Sequence, residues 1–216
     1  IDFDTLALYL QLNYVPGTSS MLKGVQKLAP GHCVTLNANA EATVKQYYHI
    51  PYQSGAAAAY TGTYDSAKQE LRKLVDEAVQ RRLVSDVPLG AFLSGGIDSS
   101  VVVSCASRHV KGLHTFSIGY KDEPYFDETK YANMVAKKFG TEHTVFSISN
   151  DEMFAHLHDI LDYIDEPFAD SSAIAVYILS NRTRKAVTVS LSGDGGDELF
   201  AGYNKHQAEY RARKTG

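Results

Sequence analysis

The chain is poor in cysteine, with only Cys33 and Cys105 among its 216 residues. Two thiols cannot supply a disulfide framework, nor a zinc site alone, so a reducing compartment is expected, with both side chains buried as small apolar groups. Long apolar runs are missing as well: nothing approaches the ~18 residues of a membrane-spanning helix. The opening IDFDTLALYL has neither the basic leader nor the small-residue cleavage pattern of a secretory signal. A soluble, cytoplasmic protein is the expectation. Excess charge of one sign is also lacking. A net charge of −4 argues against a surface built to neutralise a nucleic-acid backbone, and small molecules become the expected partners.

Several catalytic signatures are missing. There is no HExxH, and His156 and His158 stand two apart, a spacing that does not share a helix face. Neither Ser94 nor Ser192 lies in the G-x-S-x-G of a nucleophile elbow. Gly193 and Gly195 would need a third glycine where Glu198 stands to make a dinucleotide fingerprint.

What is present is a regular alternation. After a short amphipathic helix near Thr5 to Leu12, HCVTLNA and ATVKQYYHI read as a hairpin, and the Ala/Gly/Ser/Thr-rich stretch from Pro51 to Tyr64 reads as a linker. A helix from Ser66 to about Ser85 follows, then a strand at Leu89–Leu93 and a helix at Ser99–Arg108. Next come a strand at Leu113–Ile118, a helix at Asp127–Phe139, a strand at His143–Ile148 and a helix near Asp151–Tyr163. A helix at Ser172–Lys185 and a strand at Val187–Leu191 complete the series. Strands alternating with helices predict an α/β fold with a mainly parallel sheet and helices on both faces, preceded by a small hairpin and linker segment. Ligands of such folds bind beyond the carboxyl ends of the strands.

Two glycine-rich turns fall there. In LSGGIDSS, Gly95 and Gly96 admit a close ligand, while Ser99 and Ser100 open a helix whose free amides favour phosphate. Asp98 is the anomaly, since a carboxylate beside phosphate is repelled by about a few kcal/mol at short range in a partly desolvated cleft. Magnesium resolves it, because it bridges one or two carboxylates to substrate phosphates. The lysine of a Walker A loop is absent, which excludes an ordinary ATPase loop. The second turn, SLSGDGGDELFAGY, again joins glycines to the carboxylates Asp194, Asp197 and Glu198. Either turn alone reads as an ordinary strand-to-helix connection with glycine for positive φ and Asp or Ser as caps. Capping does not call for both turns to carry so many carboxylates beside so many glycines. If they lie at one sheet edge, Asp98 and Asp197 could share metal ions across a pyrophosphate.

LSGGIDSS resembles the PP-loop of the ATP pyrophosphatase superfamily, whose adenine nucleotide alpha hydrolase-like members include GMP, NAD and argininosuccinate synthetases. LSGDGGDELFAGY resembles the second signature of the asparagine synthetases. TFSIGY (115–120), FDE (126–128) and DEPFADSSAI (165–174) are similar to the same family, while YVPGTSS and KLAPGH are similar to the stretch joining its glutaminase and synthetase halves. The resemblance implies that residues 1–55 are a linker segment and the tail of an upstream glutaminase-like domain, and that 66–216 are a PP-loop synthetase domain truncated at its carboxyl end. It implies phosphate contacts from Ser94, Gly95, Gly96, Asp98, Ser99 and Ser100. Magnesium would sit on Asp98 and Asp197, the two residues carrying catalysis, and adenosine would be framed by Phe92, Leu93, Ile118, Ser192 and Gly193. Asp194, where relatives often carry Glu, is implied to hold the amino-acid substrate; Ala201 replaces a common Gly and is expected to be tolerated.

The implied activity is that of an ATP-dependent carbon–nitrogen ligase. Aspartate is activated at its side-chain carboxylate as an adenylate, and ammonia, drawn from glutamine in a longer parent protein, displaces AMP. ATP and Mg2+ are the expected cofactors, and a homo-oligomer is left open. The chain begins without methionine, and the family places a basic catalytic residue beyond Gly216, so this stretch alone is expected to be inactive or nearly so. Two rival readings remain at this point: a β-lactam synthetase or lasso-peptide cyclase activating another carboxylate, and a non-catalytic nucleotide-binding module.

Overall fold

The computed structural model describes residues 1–50 and 60–214. Nine of the linker residues expected between Pro51 and Tyr64, positions 51–59, lie outside the described residues. The chain divides into two compact units, one comprising Ile1–Gly62 with His158–Ser172, the other Thr63–Leu157 with Ala173–Gly216.

In the first unit, α1 (Phe3–Leu12) is capped by Asp2, whose carboxylate accepts from Thr5 N at 2.9 Å, an interaction that also holds the Asp2 carboxyl below its ordinary range. It stops at Asn13 in the left-handed region. Strands β1 (His32–Leu36) and β2 (Ala42–Gln46) form the expected hairpin, with Val34 opposite Val44. Cys33 is exposed on this hairpin, against the expectation of burial; every residue of β2 is exposed too, so this two-stranded ribbon offers no interior to take the thiol. Lys27 Nζ binds Glu166 Oε1 and Val15 O, each at 2.8 Å, and Ala169 N donates to Asn13 O at 3.0 Å, which ties the 158–172 stretch to the amino-terminal segment.

The second unit is the α/β domain. Helix α2 (Tyr64–Arg82) starts at Thr63, whose hydroxyl accepts from Ser66 N. Strands β3 (Leu89–Phe92), β4 (His114–Tyr120), β5 (Glu142–Ile148) and β6 (Val189–Leu191) form a parallel sheet in the order β5-β4-β3-β6. Alternate residues along the strands feed two cores. Ala91, Leu93 and Leu113 pack with Val79 of α2, with Val103 and Ala106 of α3 (Ile97–His109), and with Ala132 and Ala136 of α4 (Thr129–Phe139). Phe92, Phe116, Ile118 and Phe146 pack with Leu179 of α7 (Ser172–Thr183), so helices cover both faces. Cys105 is buried in the first core as expected.

One expected element is broken. The helix read from Asp151 to Tyr163 is two, α5 (Asn150–Ala155) and α6 (Leu157–Tyr163), parted at His156. The His156 ring lies 5.9 Å from that of Tyr177 on α7. A distant partner of this kind has no trace in local sequence pattern.

The strand order places the site. From β3 the chain winds outward through β4 to β5, then returns to lay β6 on the opposite side of β3. The order therefore reverses between β3 and β6, the switch point at whose carboxyl ends folds of this kind bind their ligands. Both glycine-rich turns leave from these two strands.

Candidate active site

Phe92 ends β3, and Leu93, almost wholly buried, continues the pairing by donating its amide to Phe116 O at 2.8 Å. The turn Ser94–Gly96 then leads into α3. Ser94 Oγ lies 2.9 Å from Ser99 Oγ, the Gly96 amide donates to Ser94 Oγ at 3.2 Å, and Ser100 Oγ donates to Gly96 O at 2.6 Å. The hydroxyls thus brace the turn from within, and Asp98 stands in the first helical turn. Gly95 takes φ +87°, and a Cβ there would meet Tyr131 Cβ at 2.6 Å and Ala132 N at 2.7 Å. Glycine is required twice over, by conformation and by the seating of α4 against the turn.

Ser192, Gly193 and Asp194 follow β6, where Leu191 pairs with Ala91 of β3. Ser192 Oγ donates to Asp194 Oδ2 at 2.8 Å. The chain reverses through Gly195 at φ +91° into the short α8 (Gly196–Phe200), which carries Asp197 and Glu198.

The two turns touch. A Cβ on Gly193 would stand 2.7 Å from Ser99 N and 3.0 Å from Asp98 C. A Cβ on Gly196 would collide with Asp98 Cγ and lie 2.6 Å from Asp98 Oδ2. The Asp98 carboxylate therefore lies against the bare backbone one residue before Asp197, so the structure brings Asp98 and Ser99 of the first turn against Gly193 and Gly196 of the second. Ile118, near the end of β4, stands two residues beyond Phe116, the register partner of Phe92, and packs into the second core. The sequence signals Gly196 solely through the doubled glycine before Asp197.

Beyond α8, Ala201 occupies the left-handed region at φ 56°. This conformation costs an L-residue roughly 1–2 kcal/mol, partly offset by the freedom a glycine would lose on folding. Ala201→Gly is accordingly expected to raise the unfolding free energy by about 0.5–1 kcal/mol, seen as a higher denaturant midpoint at unchanged slope. Tyr203 Oη donates to Glu198 Oε1 at 2.6 Å. The bond holds the Glu198 carboxyl below its ordinary range and pushes the Tyr203 phenol up to about 12. It is formed above the titration of the carboxylate and is lost as pH rises through that of the phenol.

No group of three or more His, Cys, Asp or Glu able to hold a metal occurs among the described residues. Any cation here would therefore take at most two protein carboxylates and complete its shell from phosphate and water. Two carboxylates with the rest of the shell from phosphate and water is a donor set that suits magnesium, and the Asp98 carboxylate has its place because Gly196 has no side chain. No described helix is long and apolar enough to cross a membrane.

Sheet, switch point and paired acidic turns define a doubly wound α/β domain whose candidate ligand site lies on the loops following the adjacent parallel strands β3 and β6. A family model described as Asparagine synthase matches residues 70–216, and the chain belongs to the asparagine synthase family. It is 36% identical to asparagine synthetase [glutamine-hydrolyzing] 1 of Bacillus subtilis, over 94% of this chain and 31% of the relative. It is 40% identical to putative asparagine synthetase [glutamine-hydrolyzing] 2 of Methanocaldococcus jannaschii, over 98% of this chain and 40% of the relative. The chain thus spans less than half the length of these relatives. Among solved structures it is similar to an NH3-dependent NAD synthetase from Campylobacter jejuni, at 15% identity and a TM-score of 0.39, over 66% of this chain and 62% of that one.

Proposed function

We propose that this chain is the nucleotide-binding part of an enzyme that adenylates the side-chain carboxylate of aspartate with ATP and then forms asparagine with ammonia. The supporting observation is the seating of the Asp98 carboxylate on Gly196, which unites two amide-rich, acidic turns at the switch point. Family membership supports the choice of reaction, and the naming of the relatives as glutamine-hydrolyzing supports glutamine as the nitrogen source, handled by a glutaminase domain of the parent protein.

On this reading the amides and hydroxyls of Ser94–Gly96, Ser99 and Ser100 hold the β- and γ-phosphates, and backbone at Phe92, Leu93, Ile118, Ser192 and Gly193 frames the adenosine. Asp194, oriented by Ser192, faces the amino-acid substrate. Asp98 and Asp197 would hold magnesium, which when bound neutralises charge developing on the departing pyrophosphate. The aspartate carboxylate attacks the α-phosphorus, the bond to the β-phosphate oxygen breaks, and pyrophosphate leaves; ammonia then attacks the acyl carbon, loses a proton and expels AMP. No protein nucleophile takes part. The chain's contribution is positioning and a fixed field of donors.

The experiment is pyrophosphate release by the complete protein with ATP, Mg2+ and a panel of carboxylates. Release dependent on aspartate is expected. Release with a different carboxylate alone would assign a different acceptor, and magnesium-dependent ATP binding with no release would reduce the chain to a binding module.

A further inference from the structure

The residues after Asp197 close into a turn that brings Gly202 back against Asp197. The Gly202 amide donates to Asp197 O at 3.0 Å, and a Cβ on Gly202 would collide with Asp197 Oδ1, so the carboxylate lies directly over the glycine. Ala201, in the left-handed region, turns the chain to allow this. Tyr203, the next residue, is bound to Glu198 at 2.6 Å. Its ring is held independently: Lys205 Nζ stands 4.6 Å from the ring centroid, and the His206 ring lies 5.4 Å away. A phenol-to-carboxylate bond of this length is charge-assisted and stronger than a neutral one. It spans the chain segment that carries Gly202 beneath Asp197.

We propose that Tyr203 is a positioning residue: clamped to Glu198, it holds Gly202 against the Asp197 carboxylate and so fixes the direction in which that carboxylate meets a magnesium–polyphosphate ligand. The proposal rests on the reading of Asp197 as metal-facing given above. A stitch that merely stabilised the end of α8 would change unfolding and nothing else, whereas a positioning role acts on the metal requirement.

The test uses the complete protein and its Y203F, E198A and E198Q variants. ATP binding is followed calorimetrically across a magnesium titration, with the melting temperature recorded alongside. Y203F and E198A are each expected to raise the magnesium needed for half-saturation by about 10-fold, in the range found when groups supporting a metal ligand are removed. E198Q, whose amide oxygen still accepts from the phenol, is expected to stay within about two-fold of wild type. In a D197N background Y203F should add nothing, because the residue it acts through is already altered. A Y203F variant that melts earlier at unchanged magnesium requirement would overturn the proposal, as would a full additional loss in D197N. If Y203F does not fold, the difference between E198A and E198Q reads the same quantity. Wild-type protein that binds ATP without regard to magnesium, or not at all, would instead reject the nucleotide-site reading, and this proposal with it.

Discussion

Gly196→Ala is expected to leave the fold intact and weaken magnesium-dependent ATP binding by about 10-fold or more, equivalent to about 1.4 kcal/mol. Gly196 does not have a left-handed φ, so alanine suits its backbone. The atoms nearest the new methyl would be those of the Asp98 carboxylate, the free end of a side chain that can rotate away. The variant therefore displaces the one group the site most depends on without forcing the sheet apart. Gly193→Ala is the contrasting control. Its methyl would meet the backbone at Asp98 and Ser99, which cannot rotate aside, so about 1–3 kcal/mol of stability should be lost along with binding. Thermal unfolding and ATP titration of the two variants separate these outcomes. Equal melting losses in both would mean that Gly196 faces something other than a mobile carboxylate.

Much of this arrangement is legible in the residue order. The alternation of short apolar strands with periodic helices announces a parallel sheet, and the four strands of that sheet fall within two residues of the expected limits at either end, whereas β2 of the hairpin ends four residues earlier than expected. Each acidic glycine turn is visible because its carboxylates exceed what capping requires. The strand order is not legible. Nothing local in Val189–Leu191 reveals that β6 pairs with β3 and not with the outer edge of β5, yet that pairing makes the turns neighbours. Packing across the sheet decides it, and only the assembled tertiary structure displays it.

Other departures share this origin. The break at His156 involves Tyr177, 21 positions away, and no proline or glycine marks it. The exposure of Cys33 follows from its place on a ribbon whose second strand is wholly exposed, although a free thiol favours burial on average. The role of Gly196 is not legible because a glycine needed for close approach looks the same in sequence as one needed for a turn. Gly195 next to it has a positive φ and open space around it, which is the ordinary turn requirement. Tyr203 was hidden because α8 is five residues long, too short to show a periodicity from which its partnership with Glu198 could be inferred.

The central claim is that Asp98 and Asp197 act on one magnesium–polyphosphate unit. Both carboxylates should be needed, and needed together. The direct measurement is calorimetric titration of ATP into the wild-type protein and into D98N, D197N and the double variant, each with and without Mg2+. Wild type is expected to bind only with magnesium, and each single variant should lose about 100-fold in affinity, or about 2.7 kcal/mol. The double variant should lose little beyond either single one, because one shared interaction is already broken. Losses that simply add, or ATP binding that ignores both the metal and the two carboxylates, would contradict a common site.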